Sequence, residues 1–344
     1  MRWAVVLAGG VGSRFWPLTT PERPKQLLPL AGARPLIVDA VERLQPLVPA
    51  ERVLVVTSRA LAAAIRAALP HVPADNIVAE PRAASTAPAL AWATAAAARK
   101  DAEASVLSVH ADWAVADADA FREAAAAALL LAQSEDVLVT VGARPTRVET
   151  GYGHIVPGAP RGAGRRIVRF VEKPDAPTAE SLMFQGALWN TGMFAWTARR
   201  FRTEVAAHAR ELAPGLAALD AADADRFFGA VTPVSVDVGV FERTDRGAVV
   251  TGDFGWDDVG SWAALRRVRA QDAAGNVVAG EAFPIDSERC VVWSEAGPVV
   301  VYGMADAVVV HARGLTLVTT AERAPELKHL LDRLPRAIAG ERGA

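Results

Sequence analysis

Blocks of apolar and polar positions alternate along the first 140 residues and predict strands and helices in turn. Short β-branched runs predict buried strands over Trp3–Ala8, Val53–Thr57, Ile77–Ala79, Ser105–Val109 and Val137–Gly142. Alanine-rich segments between them predict helices over Leu61–Leu69, Thr86–Lys100 and Phe121–Gln133. This alternation is typical of a mostly parallel sheet with helices on both faces. Ligands of such sheets bind beyond the carboxyl ends of the strands, so the residues after each strand are the first candidates for a site.

The pattern is less regular between residues 143 and 265 and changes again after that. Strands are predicted over Arg165–Lys173 and Ala187–Trp196, and a helix over Ala198–Leu212. From Asn276 onward, β-branched runs between glycine and charged turns predict an all-β module, with strands at 291–293, 299–302, 307–311 and 315–319. Leucines at helical spacing predict a closing helix over Pro325–Leu334. We therefore predict two domains, residues 1–270 and residues 271–344.

Composition and charge limit the class of protein. Of the 344 residues, 51% are hydrophobic and 22% are charged, which is typical of a globular protein. The formal net charge is −2, whereas a nucleic-acid binder usually has a basic surplus, so no nucleic-acid partner is expected. No apolar run reaches about 18 residues, and the first one ends in a glycine turn, so we expect neither a membrane span nor a secretory signal. Together with the single Cys290, this predicts a cytoplasmic protein.

A glycine-rich stretch follows the first predicted strand and offers groups that bind phosphate. Its sequence is LAGGVGSRFWPL over residues 7–18, and Pro24–Lys25 comes shortly after it. Glycines let the backbone turn sharply and let amide N–H groups approach an anion closely. The guanidinium of Arg14 and the ammonium of Lys25 add positive charge. The stretch therefore predicts a cradle for a polyphosphate at the end of the first strand.

Two familiar phosphate-binding patterns do not fit this stretch. The dinucleotide pattern G-x-G-x-x-G needs a glycine at Phe15, and no acidic residue ends the strand Val53–Thr57 to hold a ribose. The Walker pattern G-x-x-x-x-G-K-[ST] needs its second glycine at Arg14. The predicted cradle is therefore of another kind, and the alternative is a structural glycine turn with a surface arginine.

Two separated aspartates are candidates for a metal site. Asp112 follows the strand Ser105–Val109, and Asp258 lies in a second acidic segment with a glycine turn, DDVGSW. Either one alone also fits a helix cap or a turn. Beside a polyphosphate cradle the pair predicts a Mg²⁺ site, because Mg²⁺ favours a few carboxylate oxygens together with substrate phosphates. The six histidines show no zinc-ligand spacing.

Three segments between these aspartates carry groups that suit a polyhydroxylated ring. They are GYGHI at 151–155, FVEKP at 170–174 and WNTGMF at 189–194. Glu172 can accept from two neighbouring hydroxyls, Asn190 can donate and accept, and Tyr152 offers an apolar ring face. Lys173 suits a phosphate on that ring. Each segment alone also fits a surface ion pair or a core aromatic, so the prediction depends on their combination.

In order along the chain, these motifs resemble those of the sugar nucleotidyltransferases and, within that family, the mannose-1-phosphate guanylyltransferases. GGVGSR with Pro24–Lys25 is shared by the whole family, whereas FVEKP, WNTGMF and DVGSW narrow the resemblance to the guanylyl branch. The resemblance implies an α/β fold with a Rossmann-like catalytic domain, a mixed, mostly parallel sheet, and a small C-terminal β-helical domain that ends in a helix. It also implies a homodimer in which the small domain takes part.

The resemblance implies transfer of GMP from GTP to mannose 1-phosphate, giving GDP-mannose and pyrophosphate, with Mg²⁺ as cofactor. It implies that Asp112 and Asp258 hold the metal and that Arg14 and Lys25 are catalytic with them. The residues that it assigns to the nucleotide are Leu7, Ala8, Gly9, Gly10, Gly12, Ser13, Arg14, Lys25, Glu80, Arg82, Ser85 and Thr86. Those that it assigns to the sugar phosphate are Asp112, Tyr152, Gly153, Glu172, Lys173, Asn190 and Gly192.

The chain also departs from the family pattern. Ala84 and Ser85 stand where the family usually has a basic residue and an asparagine, and Arg82 is expected to take the basic role. Trp113 stands where a histidine is common, and His154 where a tyrosine is common. Two alternatives stay open. One is transfer to another sugar 1-phosphate, such as a heptose or glucose, or from another nucleotide; the other is a non-catalytic paralogue that only binds nucleotide sugars.

Overall fold

A computed structural model of the chain describes residues 1–10 and 12–339. Val11, in the middle of the predicted glycine motif, and residues 340–344, at the end of the predicted second domain, lie outside the described residues. Backbone contacts divide the chain into two compact units. Unit 1 comprises Met1–Gly9, Ala40–Ala111 and Asp117–Trp256. Unit 2 comprises Gly10–Asp39, Asp112–Ala116 and the described chain after Trp256.

The described elements follow the predicted alternation in the first half of the chain. The strands are β1 (Arg2–Leu7), β2 (Val53–Ser58), β3 (Ile77–Glu80), β4 (Ser105–His110), β5 (Ala114–Val115), β6 (Leu138–Ala143), β7 (His154–Arg161), β8 (Gly164–Val171), β9 (Leu188–Thr197), β10 (Gly247–Thr251), β11 (Trp256–Asp257), β12 (Val277–Ala279), β13 (Ala282–Ile285), β14 (Val291–Ser294), β15 (Val299–Tyr302), β16 (Ala307–Ala312) and β17 (Leu315–Thr320). The α-helices are α1 (Leu36–Leu44), α2 (Ala62–Ala68), α3 (Thr86–Lys100), α4 (Ala118–Glu135), α5 (Ala176–Phe184), α6 (Ala198–His208), α7 (Leu216–Asp220), α8 (Ala224–Ala230), α9 (Leu265–Val268), α10 (Leu327–Leu331) and α11 (Arg336–Ala339).

Unit 1 is built on one mixed sheet in the order β3-β2-β1-β4-β9-β6-β10-β8-β7. Strands β3, β2, β1 and β4 pair in parallel, as β6 does with β10, whereas β9, β8 and β7 pair with their neighbours in the antiparallel sense. The carboxyl ends of β1 to β4 therefore lie at one edge, which places Gly9 and Glu80 together at that edge. The α/β fold class with a mixed sheet is confirmed.

Unit 2 contains the predicted all-β module, and its strands wind as a short β-helix. Strands β12, β14 and β16 form one parallel sheet, and β13 and β15 form a second one. Successive strands alternate between these sheets, so each coil of the chain stacks on the one before it. Strand β17 then returns antiparallel along β16, and α10 follows. The β-rich C-terminal region that ends in a helix is confirmed.

The core of unit 2 joins residues from both sides of the predicted boundary at residue 270. The rings of Phe15 and Trp262 lie 5.1 Å apart, and the indole N–H of Trp262 donates to the carbonyl of Trp16 at 3.1 Å. The same cluster includes β-helix side chains and the buried Leu327 of α10. The other leucines of the predicted stripe also pack against this cluster, namely Leu330, Leu331 and Leu334. The boundary itself stays a prediction.

Some elements differ from those that the sequence pattern predicts. The closing helix is shorter than Pro325–Leu334, because a 3₁₀ turn precedes α10. Strand β7 was not predicted; it contains Pro157 and Pro160, and its register with β8 shifts at both. A π-helical turn forms over Asp237–Phe241. Within residues 1–10 and 12–339, none of the helices combines the length and apolar character that crossing a bilayer needs.

Candidate active site

The glycine stretch follows β1 directly and leads into a turn that begins at Gly12. Gly9 and Gly10 are exposed, and Gly12 adopts a left-handed conformation with φ of 72°. A Cβ on Gly12 would lie 2.4 Å from the Cβ of Lys25, so a side chain is excluded there. The chain then enters a 3₁₀ turn over Ser13–Phe15, which leaves the guanidinium-bearing Arg14 exposed. The turn therefore presents backbone and one arginine to solvent, which suits an anionic ligand.

Lys25 connects the two predicted metal aspartates. Its side chain is buried, yet its ammonium is well satisfied, because Nζ donates to Asp112 Oδ2 at 2.9 Å and to the carbonyl of Asp258 at 2.5 Å. A buried ammonium needs such partners to offset the loss of water. The structure thus brings together three residues that the sequence assigns to catalysis, although they are far apart along the chain.

The turn at Asp257 and Asp258 separates the tasks of these two carboxylates. Asp257 accepts from the amide of Val259 at 2.8 Å and from Arg267 at 2.5 Å, so it holds the turn together. Asp258 accepts from the amide of Gly260 at 3.1 Å, and a Cβ on Gly260 would lie 2.6 Å from Asp258 Oδ2. Glycine at 260 therefore leaves room around the Asp258 carboxylate, which makes Asp258 the better candidate for a metal ligand.

The donor set fits the predicted Mg²⁺ but not a fully protein-bound metal. Lys25 contacts the carboxylate of Asp112 and the main-chain carbonyl of Asp258, so both aspartates lie beside one positive group. Among the residues that the structure describes, no three histidine, cysteine or acidic side chains form a metal-binding group. Mg²⁺ needs few protein ligands when substrate phosphates and water complete its shell, so two carboxylates suffice.

Among the residues assigned to the nucleotide, Glu80 has a buried carboxyl group with a raised pKa. It ends β3, and its Oε1 is buried without a hydrogen-bond partner among the described residues. Burial raises the pKa of its carboxyl to about 7. A Cβ built on Gly9 would lie 3.6 Å from Glu80 Oε2, so the backbone at the end of β1 runs beside this carboxyl group. A ligand with N–H donors would satisfy both of its oxygens.

Several residues of the loop between Glu80 and α3, where the sequence departs from the family pattern, have contacts within the protein. Arg82 donates from Nη2 to the carbonyl of Val231 at 2.6 Å, so its guanidinium is tied to the backbone. Ser85 has a φ of 67°, which is unusual for a residue other than glycine. Thr86 accepts from the amide of Val236 at 2.9 Å and thereby fixes the start of α3. The nucleotide-binding roles of these residues stay predictions.

The sugar-side residues come together around Gly153. A Cβ on Gly153 would lie 2.7 Å from Glu172 Oε2 and 3.2 Å from the Cβ of Asn190. The backbone N–H of Asn190 donates to the Gly153 carbonyl at 2.7 Å. Lys173 pairs with Glu172 Oε1 at 2.8 Å, and the amide of Gly192 donates to Asn190 Oδ1 at 3.2 Å. Five of the residues assigned to the sugar phosphate therefore form one cluster.

Tyr152 lies beside this cluster but is packed among aromatic side chains. Its ring meets those of Trp189 and Trp256 edge-on, at 5.3 Å and 4.9 Å between centroids. Arg147 donates to the Tyr152 hydroxyl at 3.2 Å. His154, a departure from the family pattern, is buried with its ring bonded to the Tyr152 carbonyl, and burial lowers its pKa. Tyr152 thus belongs to an aromatic cluster next to these residues, and its contact with the sugar stays a prediction.

A comparison with protein-family models decides the family. Residues 3–275 match the model described as "Nucleotidyl transferase", which covers most of the chain. The chain belongs to this family.

Curated relatives of this nucleotidyl transferase match it along nearly its whole length. "Mannose-1-phosphate guanylyltransferase ManC" of Salmonella typhimurium is 34% identical over 96% of this chain and 73% of that protein. "Alginate biosynthesis protein AlgA" of Pseudomonas aeruginosa is 33% identical over 95% of this chain and 71% of that protein. The resemblance predicted from the motifs is confirmed.

Solved structures agree with the fold of this nucleotidyl transferase. A Thermus thermophilus protein described as a mannose-1-phosphate geranyltransferase superposes with a TM-score of 0.88 at 38% identity, over 96% of this chain and 98% of that one. A mannose-6-phosphate isomerase from Helicobacter pylori superposes with a TM-score of 0.60 at 22% identity, over 74% of this chain and 99% of that one, which shows the fold alone.

Sequence reasoning missed one residue of the sugar-side cluster of this nucleotidyl transferase. Asp237 begins the π-helical turn and accepts from Asn190 Nδ2 at 2.8 Å. Its carboxyl has a pKa raised to about 6, mainly by burial and also by the neighbouring Glu172 carboxylate. A single charged residue within the otherwise uncharged run VSVDVGVF was the one available indication.

Proposed function

We propose that this nucleotidyl transferase transfers GMP from GTP to mannose 1-phosphate and releases pyrophosphate, so that GDP-mannose is formed. The observation that carries the proposal is the match, at 34% identity over 96% of the chain, to proteins named mannose-1-phosphate guanylyltransferase. A phosphate oxygen of the sugar phosphate forms a bond to the α-phosphorus of GTP, while the bond from that phosphorus to the β-phosphate oxygen breaks. The nucleophile is already an oxyanion, so no general base is required.

Charge is the main obstacle to this reaction, because two polyanions must approach each other. Two like charges 4 Å apart repel by about 4 kcal/mol at an effective dielectric constant of about 20. We assign the neutralisation to Arg14 and Lys25, with the amides of the glycine stretch as further donors to the leaving phosphates. Arg14 is exposed, whereas the ammonium of Lys25 is buried and donates two hydrogen bonds, so we expect the two residues to act differently on a ligand. Arg14 can close on a ligand, whereas Lys25 keeps its place.

Mg²⁺ is the proposed cofactor, and Asp112 and Asp258 are the residues that would hold it. When bound, the ion supplies positive charge next to the phosphates that react. Lys25 would help to position both aspartates, since it contacts the Asp112 carboxylate and the backbone of Asp258.

Glu80 supports guanine as the base. The Watson–Crick edge of guanine presents two adjacent N–H donors, on the ring and on the exocyclic amine, and a carboxylate offers two adjacent acceptors. Adenine, cytosine and uracil do not present that pair of donors. The unpaired, buried Oε1 of Glu80 and its raised pKa are what a carboxylate shows when its partners belong to a ligand.

Glu172, Lys173 and Asn190 support a sugar phosphate as the acceptor. The carboxylate of Glu172 can accept from ring hydroxyls, and the adjacent, exposed Lys173 offers a positive charge for the phosphate. The predicted homodimer and cytoplasmic location are part of the proposal as well. The leucines of α10 pack against the core of their own unit, so a dimer contact would use other surfaces of that region.

A substrate panel tests the proposal directly. Pyrophosphate release is measured for the purified chain in MgCl₂ with GTP, ATP, UTP or dTTP, each paired with mannose, glucose or heptose 1-phosphate. Turnover is expected to be highest with GTP and mannose 1-phosphate, and the product is expected to be GDP-mannose by mass. Turnover with a different pair alone would overturn the substrate assignment. An absence of turnover with every pair would favour the non-catalytic alternative.

A further inference from the structure

Asp237 occupies a fixed position beside the sugar-side cluster. The amide of Gly239 donates to the carbonyl of Ser235 at 2.8 Å, and the amide of Glu242 donates to the carbonyl of Asp237 at 2.8 Å, so the π-helical turn is held at both ends. The backbone amide of Val236, which precedes Asp237, donates to the hydroxyl of Thr86 at 2.9 Å. The carboxylate of Asp237 is therefore placed by the backbone and not by a flexible loop.

The side chain of Asn190 has one orientation because its neighbours have fixed polarity. The backbone amide of Gly192 can only donate, and it meets Oδ1 at 3.2 Å. The carboxylate of Asp237 accepts when ionised, and it meets Nδ2 at 2.8 Å. The hydroxyl of Thr140 donates to Oδ1 at 2.9 Å. A flipped amide would place donor against donor at Gly192, so Asp237 and Gly192 together set the orientation.

We propose that Asp237 is a positioning residue for the acceptor sugar: by holding Asn190 Nδ2 from behind, it makes Asn190 a hydrogen-bond donor to the sugar beside the Glu172 acceptor. The inference rests on the proposed function for the identity of the acceptor. Oδ1 of Asn190 is already used twice, whereas Nδ2 has a second N–H for which the described residues provide no partner. The sugar is thus met by one donor and one acceptor in a fixed arrangement.

The charges around Asp237 favour a neutral hydroxylated ring at this place. Glu172 lies close enough to raise the pKa of Asp237, after the larger effect of burial, and Lys173 partly offsets this. Glu242 also belongs to this group, because its Oε1 accepts from the amide of Glu172 at 3.2 Å. Three carboxylates against one lysine disfavour a further anionic group on the ring besides its phosphate, such as the carboxylate of a uronic acid.

The test is the split between two Michaelis constants in Asp237→Asn. An asparagine at 237 keeps the shape of the side chain but replaces one carboxylate oxygen by an amide NH₂ group. That group is a donor, so the side chain at 237 no longer requires Asn190 to present Nδ2 to it. We expect KM for mannose 1-phosphate to rise about 10-fold, as for the loss of one charge-assisted hydrogen bond. We expect KM for GTP and kcat to change less than about 2-fold. A loss of structure alone would move both Michaelis constants or neither.

A double-mutant experiment tests whether Asp237 affects the KM for the sugar phosphate through Asn190. Thr140→Val removes the hydroxyl that holds Asn190 Oδ1 and is expected to raise the same KM. In an Asn190→Ala background, Asp237→Asn is expected to have no further effect, because the side chain to be oriented is gone. An equal effect in that background, or an unchanged KM for the sugar phosphate in Asp237→Asn, would overturn the proposal.

A matched control removes a different buried carboxylate of the same unit. Glu204 is buried and accepts from Thr244 at 2.6 Å and from Arg200 at 3.1 Å, outside the sugar-side cluster. Glu204→Gln is expected to lower the melting temperature and leave both Michaelis constants unchanged. If the wild type turns over a sugar 1-phosphate other than mannose 1-phosphate, the proposed function fails in its substrate, and the same comparison is made with the active sugar.

Discussion

Lys25 is a buried cation whose partners are the residues assigned to the metal. It bonds to the Asp112 carboxylate and to the carbonyl of Asp258, so replacing it would remove a positive charge that contacts both residues. The ammonium therefore stabilises the local structure, in addition to the catalytic role that we propose for it. A loss of activity in Lys25 variants will combine both effects, which makes Asp258 the cleaner residue to replace.

Asp258→Asn is expected to lower kcat about 100-fold or more, because it removes one of the two carboxylates that we propose as ligands of Mg²⁺. The fold is expected to remain, since the Asp258 carbonyl that binds Lys25 is unchanged. The measurement is pyrophosphate release at saturating substrates, together with thermal unfolding. Asp253→Asn is the control, because this aspartate is exposed nearby along the chain. Turnover near the wild-type rate in MgCl₂ would show that Asp258 is not a metal ligand.

Glu80→Gln is expected to weaken selection of the base while it stabilises the protein at high pH. The folded-state pKa of about 7 lies above the ordinary 4.5, so folding opposes ionisation of Glu80. Its contribution is fully present below pH 4.5 and is lost as the pH rises through about 7. Above that, the glutamine variant is expected to be more stable by an amount on the order of 3 kcal/mol.

Two measurements check the Glu80 prediction separately. Urea unfolding at pH 5 and pH 8.5 gives the stability difference, which is expected to be much larger at the higher pH. The ratio of kcat/KM for GTP over UTP gives base selection, and it is expected to fall by about 10-fold or more, since a side-chain amide matches only one of the two guanine donors. A variant that keeps the full ratio would show that Glu80 does not contact the base.

The residues that the sequence predicts best are those that lie in motifs. Lys25, Asp112 and Asp258 were assigned from a glycine stretch, a strand end and an acidic turn, and the structure brings them together. Asp237 was missed because its partner Asn190 lies 47 residues away and no local spacing links them. Contacts of this kind depend on how the sheet is assembled, which a single sequence does not contain.

At the scale of elements, the turn at Gly12 is the part of the glycine stretch that tolerates least change. Gly12→Ala combines a left-handed φ with a contact of 2.4 Å to the Cβ of Lys25. We expect a loss of about 1–3 kcal/mol in stability and a lower kcat, because Lys25 must move. Gly32→Ala is the control, since a Cβ there would meet nothing within 4 Å. Urea unfolding and turnover give both readouts, and identical behaviour of the two variants would contradict the prediction.

Prediction of the elements succeeded where periodicity was strong and failed where proline or burial interrupted it. Helix α3 was predicted with its observed bounds, Thr86–Lys100, because alanines and a proline in its first turn mark it clearly. Strand β7 was missed, because its prolines remove ladder donors and shift its register. Helix α10 is shorter than its leucine spacing predicts, because the leucines pack against one cluster without requiring a continuous helix.

At the scale of the whole molecule, a chain that ends at residue 270 is expected to lose unit 2. The hydrophobic cluster around Phe15 and Trp262 includes β-helix side chains such as Val277 and Val308, and Leu327 of α10, all of which the truncation removes. We expect red-shifted tryptophan fluorescence and no measurable turnover, in comparison with the full chain. Native-like fluorescence with full activity would support an independent domain that ends at residue 270.

The class of fold was predictable, whereas the packing of Gly10–Asp39 with the C-terminal region was not. The family resemblance implied a mixed sheet and a C-terminal β-helix, and both are present. The sequence pattern placed a boundary where the strand spacing changes. It gave no indication that Gly10–Asp39 packs with the C-terminal region, since that segment is joined to it by contacts such as the bond from Trp262 to Trp16.

Unit 2 combines segments from both ends of the chain, so it can fold only late in biosynthesis. Lys25 and the Asp258 carbonyl are 233 residues apart, so at about 5–20 residues per second the ribosome needs roughly 10–50 s between them. During that time the lysine has no Asp258 to bind, and Phe15 and Trp16 have no Trp262 to cover them. A nascent chain is therefore inactive until its last quarter emerges, and the apolar segment near its start is the part that a chaperone would first find exposed.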